Sequence, residues 1–149
     1  MRLVLQRVLS SSVWIDNVEV SRIARGILIL FGALKDDKPV EATYFAEKVA
    51  RLRMFPDEKG KMNKSCLEIG GEVLVVSQFT LAANCSRGNR PDFEQAAEYV
   101  VAEFLYNFFI GELKRMGLKV GVGEFGADMR VDIQNEGPVT FILEKQFLG

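Results

Sequence analysis

Two hydrophobic periods alternate along this chain, one of strands and one of helices. Residues 2–8 (RLVLQRV) open as a strand, and residues 12–15 and Val18–Ile23 read as two more around Asp16-Asn17. Both turn residues tolerate positive φ, so the pair suits a two-residue hairpin. Residues 26–34 (GILILFGAL) form a continuous apolar run, the mark of a strand covered on both faces. From residue 39 to 53 the period changes: Phe45, Val49 and Leu52 make one helical stripe, with Pro39 at its start and Asp36 and Asp37 ahead. Residues 56–61 and Gly70-Gly71 carry turn chemistry. Residues 72–80 (EVLVVSQFT) make the strongest strand in the sequence.

Beyond a loop over residues 84–91, Asp92 and Gln95 are spaced as a capping box. They introduce a predicted helix bearing Ala97, Val100, Val101, Phe104, Leu105 and Phe108, closed by Gly117. Residues 119–124, 129–135 and 139–147 complete the chain as strands. The pattern predicts one β-rich α+β domain over residues 1–149, with two main helices and no internal repeat.

At 149 residues, 48% hydrophobic and 26% charged, the chain has the length and usage of one ordinary globular core. No export signal is evident, and the apolar run over residues 26–34 is too short to span a bilayer, so a cytoplasmic protein without a membrane is expected. A net charge of −1 argues against broad, salt-driven binding along a duplex but leaves room for gripping one end of a nucleic acid. Cys66 and Cys85 have neither metal nor redox spacing. The most restrictive count is histidine, which is 0. Imidazole is the usual base near neutral pH and the commonest metal ligand. Its absence removes Ser-His-Asp and Cys-His enzymes, and no metal or cofactor site is expected.

Three places could carry chemistry. Ser77, Gln78, Phe79 and Thr80 interrupt an apolar strand at its end, where a rigid scaffold often presents a site. They also fit a strand merely emerging into solvent, and a nucleophilic Ser or Thr would lack an activating histidine. The second place is NEGPVTF at residues 135–141, where Gly137-Pro138 stands inside strand-like sequence. Proline gives no N–H to a ladder. The pair reads either as a two-residue turn between antiparallel strands or as a cis peptide, which costs only ~0.5–1 kcal/mol before proline. The third is a basic group: Lys48, Arg51, Arg53, Lys59, Lys61 and Lys64, with Arg87 and Arg90 later. Such charges usually form a solvated face and become phosphate contacts only where they border a site.

LQRV at 5–8, GKMN at 60–63, SQFTL at 77–81, RGNRPDF at 87–93, GEFGADM at 123–129 and NEGPVT at 135–140 together resemble the D-aminoacyl-tRNA deacylase family over the whole chain. Ala82 and Glu136 depart from the commonest residues of that pattern, outside the expected chemistry. The resemblance implies a barrel-like, mainly antiparallel sheet and a homodimer. It also implies hydrolysis of the ester between a D-amino acid, or glycine, and the 3′ end of tRNA. Gly137 and Pro138 would then be a cis pair that enters the partner's site and rejects L side chains, with Arg7 as its brace. Ser77, Gln78, Phe79 and Thr80 would form the opposite wall, and Met129 and Asn135 would bind substrate. An aminoacyl ester brings its own vicinal 2′-hydroxyl, so a histidine-free chain would need little more than backbone N–H groups near Phe79 for the oxyanion. Water attack assisted by substrate is expected ahead of a covalent Thr80 intermediate. The alternative from another class is a non-catalytic module that binds a nucleic-acid end.

Overall fold

The computed structural model describes residues 1–145. The chain opens with β1 (Arg2–Ile15), turns at Asp16 (φ 49°) and Asn17 (φ 64°), and returns as β2 (Val18–Ile23). The expected hairpin is present. The expected break between residues 8 and 12 is not, because β1 runs unbroken for 14 residues. Next come β3 (Gly26–Gly32), α1 (Pro39–Arg51) and a small ribbon of β4 (Phe55–Pro56) and β5 (Met62–Lys64). A single-turn α2 (Cys66–Ile69) ends at the left-handed Gly70. Then follow β6 (Glu72–Ser77), a 3-10 turn over Phe79–Ala82, α3 (Tyr99–Arg115), β7 (Lys119–Val122) and β8 (Arg130–Glu144).

The main sheet has the order β2-β1-β3-β6-β7, with β8 paired to the other side of β1. β1 is antiparallel to β2, β3 and β8, whereas β3-β6 and β6-β7 are parallel. The sheet curls into a nearly closed, barrel-like form with apolar residues on both sides. Alternation along β3 and β6 divides them: Ile27, Ile29, Phe31, Val73 and Val75 face one cluster, and Leu28, Leu74 and Val76 the other. The first cluster is covered by α1 and α3, through Phe45 and Val49 and through Leu105, Phe109 and Leu113. Such two-sided burial is what the continuous apolar run required.

Helix ends follow local chemistry with one exception. Pro39 occupies the first turn of α1, and the Glu41 carboxylate accepts the backbone N–H of Lys38 at 2.8 Å. Leu52, expected inside the helix, is its C-cap. Gly117, at φ +95°, follows the C-cap of α3 as expected. The start of α3 is the correction. The Asp92 carboxylate does accept the N–H of Glu94, but the chain makes only a turn there, closed by Ala96 N–H to Phe93 C=O, and no helix begins before Tyr99. Lys35 N–H donates to Gln95 C=O and Ala97 N–H to Ala33 C=O, so pairing with the end of β3 holds this segment out of the helix.

The 129–135 and 139–147 strands are also corrected. They are one strand, β8, and no turn divides it. The expected end of the second, Phe147, lies outside the described residues. Opposite β8, Gln6 pairs with Thr140 and Val8 with Asn135. Glu136, Gly137, Pro138 and Val139 therefore stand opposite Arg7 alone, as a wide bulge within the ladder. Proline is tolerated there because a bulge needs no ladder N–H.

Candidate active site

A cavity of about 530 Å³ opens at the C-terminal end of the parallel β3-β6 pair. This is within the range of ligand pockets, and its position is the usual one for a site on parallel strands. Ser77, Gln78 and Phe79 form one wall, and Met129, just before β8, with Val131, near its start, the opposite one. Phe31, Phe125 and Tyr99 supply aromatic faces. Tyr106 stands behind them, 5.8 Å from the Phe31 ring and 5.4 Å from that of Phe125. Its hydroxyl donates to Val75 C=O at 2.8 Å, and burial pushes the phenol up to about 12, so it stays protonated as a fixed support. Gly126, at φ +81°, approaches Tyr99 so closely that a Cβ would lie 2.4 Å from the phenolic oxygen.

The wall after β6 departs from the expected strand in a useful way. Gln78 N–H donates to Phe31 C=O at 2.7 Å, and the backbone then coils into the 3-10 turn. The first internal bond of that turn runs from Leu81 N–H to Gln78 C=O, leaving the amides of Phe79 and Thr80 ahead of it without intrahelical acceptors. Arg2 holds the turn from beneath by donating to Leu81 C=O. Phe79 is exposed and lies 5.2 Å from the Phe93 ring. Thr80 does not line the cavity, and its Oγ accepts from the Gln78 carboxamide. That partner is a donor, so it cannot take the hydroxyl proton as an activating base would.

The other expected residues lie elsewhere. Gly137-Pro138 is a cis peptide on the β8 bulge, and neither residue lines the cavity. Arg7 is buried beneath the bulge: its Nη1 donates to Met54 C=O at 2.9 Å and its Nε faces the Glu136 carboxylate at 3.5 Å. Asn135 also serves the bulge. Its Oδ1 accepts Val139 N–H at 2.9 Å and its Nδ2 donates to Thr140 Oγ1 at 3.1 Å, across the base of the loop. Arg7 pairs with Ile27 near the start of β3, and Ser77 pairs with Phe31 near its end. That interval alone is about 13 Å of strand, with β1 and β3 between the bulge and β6. Within one chain the wall and the Gly-Pro pair are not brought together.

Sequence reasoning overlooked Asp128 and Tyr99. Among the described residues Asp128 is the one carboxylate lining the cavity, and Tyr99 closes it from the first turn of α3. Asp128 sits in the GEFGADM stretch beside Met129, so attention to that motif would have found it. Tyr99 was hidden by placing the helix start too early.

Residues 4–144 match the D-Tyr-tRNA(Tyr) deacylase family. A D-aminoacyl-tRNA deacylase of Geotalea uraniireducens (strain Rf4) is 51% identical over 97% of this chain and 93% of its own. One from Bacillus thuringiensis (strain Al Hakam) is 49% identical over 98% of this chain and 100% of its own. Among solved structures, the c-Myc DNA Unwinding Element Binding Protein superposes with a TM-score of 0.92 at 41% identity, covering 98% of this chain and 99% of that one. A probable eukaryotic D-amino acid tRNA deacylase shares the fold, with a TM-score of 0.81 at 18% identity over 95% and 97% of the two chains.

Proposed function

The chain belongs to the D-Tyr-tRNA(Tyr) deacylase family, and from that membership we propose how its site hydrolyses an aminoacyl ester of one hand. The enzyme is a D-aminoacyl-tRNA deacylase. Its cavity takes the terminal adenosine and the attached amino acid, with the Phe125 and Met129 side supporting the nucleoside and residues 77–79 facing the ester. Water attacks the ester carbonyl, positioned or activated by the vicinal 2′-hydroxyl. Electron density passes to the carbonyl oxygen, which the free amides of Phe79 and Thr80 receive. The tetrahedral centre then collapses, the bond to the 3′ oxygen breaks, and that oxygen leaves with a proton. Free D-amino acid and tRNA are the products, and glycyl-tRNA is accepted because glycine has no side chain to place.

Discrimination comes from a second copy of the chain. The cavity lacks any group from Gly137 or Pro138, while the bulge that carries them projects from the sheet and is held from behind by Arg7 and Asn135. A twofold homodimer would insert each bulge into the other's cavity, so two identical composite sites form. The bare Gly137 backbone and its neighbouring carbonyls would then stand against the amino acid, where an L side chain has no room. Tyr99, Val100, Val101 and Phe104 lie exposed on α3 near the cavity, as a surface awaiting a partner does. Among the described residues no helix is long and apolar enough to cross a membrane, and a cytoplasmic setting suits a tRNA substrate.

The observation that carries this reading is a formed cavity walled by Ser77, Gln78 and Phe79, from which the chain's own braced Gly-Pro bulge is absent. Purified protein incubated with D-Tyr-tRNA and L-Tyr-tRNA should release D-tyrosine and spare the L ester. A second reading has one specific support: the neighbour at 41% identity is named as a DNA unwinding element binding protein. A non-catalytic module that grips a nucleic-acid end would bind both esters and turn over neither.

A further inference from the structure

The basic residues at the end of α1 have no role in the site as described. Lys48 and Arg51 lie on its last turns, Arg53 just beyond. With Tyr44 and Leu52 they line a second, shallower cavity of about 350 Å³, in which Glu47 is the only acid among the described residues. Tyr44, Lys48 and Arg51 are spaced to share one helix face, and the ammonium of Lys145 sits 5.1 Å from the Tyr44 ring centre. Arg53 is oriented by the Asn63 carboxamide at 3.0 Å. Among the described residues neither Lys48, Arg51 nor Arg53 has a salt bridge, whereas Lys64 nearby is paired with Glu58. A chain of net charge −1 thus gathers three cations against one acid along this groove, none of the three in a salt bridge among the described residues.

The position of the groove gives it meaning. Met54 directly follows Arg53, and its carbonyl is the acceptor for Arg7. Arg7 in turn lies under the bulge, where a Cβ on Gly137 would be 3.2 Å from its Nη2. The groove therefore adjoins the Gly-Pro bulge and lies at the far end of the sheet from its own chain's cavity. We propose that Lys48, Arg51 and Arg53 of one subunit hold backbone phosphates of the tRNA acceptor end whose terminal adenosine occupies the partner's cavity. This rests on the composite-site reading above: a bulge that enters the partner's site brings the adjoining groove to its rim. Base edges are not read there, because two arginines and a lysine on an open surface supply charge and forks suited to phosphate. Affinity would then come from the subunit opposite the one whose wall faces the ester.

Binding of uncharged tRNA by the full-length dimer, followed by fluorescence anisotropy across a salt series, tests this. The K48Q/R51Q/R53Q variant should bind at least tenfold more weakly at 0.1 M salt. Its slope of log affinity against log salt should be shallower by about 2 to 3, since each lost phosphate contact removes ~0.7–0.9. In hydrolysis, the ratio of kcat/KM for D-Tyr-tRNA to that for 3′-O-D-tyrosyl-adenosine should fall by a similar factor, through KM. An unchanged affinity and slope, or loss on both substrates that leaves the ratio intact, would overturn the assignment. Failure of the parent protein to cleave either ester would instead refute the deacylase reading, while the binding series would still decide the groove.

Discussion

Thr80 shows how one hydrogen bond sorts mechanisms. Its hydroxyl oxygen accepts from the Gln78 carboxamide, a donor that cannot take the hydroxyl proton, so Thr80→Ala should retain activity within about tenfold of the parent. D-Tyr-tRNA ending in 2′-deoxyadenosine should lose ~10²-fold or more, the usual scale of general acid–base assistance. Parallel rates on the two RNAs, with a dead but folded Thr80→Ala, would restore a covalent route. Cys66 is a purely structural counterpart. Burial raises its thiol from 9.0 to about 12. The folded state therefore favours the protonated thiol, and that stability is complete below about pH 9 and declines as pH rises toward 12. Between pH 8 and 10.5 the thiol accounts for a loss of about 2 kcal/mol. Urea unfolding at these two pH values should fall less steeply for Cys66→Ala than for the parent, by about that amount. Equal declines would contradict it.

The β8 bulge is the element to which the proposed function assigns selectivity, and Arg7 and Asn135 fasten it. Asn135 accepts the N–H of Val139, a residue only 9% exposed. Asn135→Ala leaves that donor unpaired, at a cost of ~1–3 kcal/mol. Urea unfolding should register this loss, and discrimination between D- and L-Tyr-tRNA should narrow as the bulge loosens. An unchanged stability together with unchanged discrimination would show that Asn135 does not hold the loop. Much of the strand and helix order was legible in the sequence, because apolar periodicity and the turn residues Asp16-Asn17, Gly70 and Gly117 act locally. What escaped was set by partners far along the chain. Residues 92–98 look ready to start a helix, yet hydrogen bonds to Ala33 and Lys35 hold them out of it. Gly137-Pro138 looks like a turn until Arg7, some 130 positions earlier, is placed opposite it.

At the scale of the molecule, the candidate site was legible in its parts and not in its assembly. The SQFT and NEGPVT stretches stood out, but nothing local told that β1 and β3 would hold them apart. Nor could one chain's periodicity reveal what a second chain would contribute on the proposed reading. The same separation is what the proposed composite site uses to let a histidine-free protein with little net charge act on tRNA. On the proposed mechanism the substrate would bring its hydroxyl, one subunit the backbone amides, and the other the bulge. Loss of the Gly137 conformation should therefore be felt across the interface. Gly137→Ala places a Cβ 2.7 Å from Val139 Cγ2 and 3.0 Å from its backbone N, at φ +126°, so the bulge must shift.

Mixed dimers measure that arrangement most directly. Ala127→Trp fills the cavity with an indole, and Gly137→Ala distorts the bulge, so each folded homodimer should be inactive on D-Tyr-tRNA. Co-refolded in equal amounts with random pairing, about half of the dimers carry one chain of each kind. In these, one composite site collects both lesions and the other collects neither. About a quarter of all sites, and of parental activity, should return. Heterodimers that form but remain inactive would mean that each bulge serves its own chain, and the composite site would be wrong.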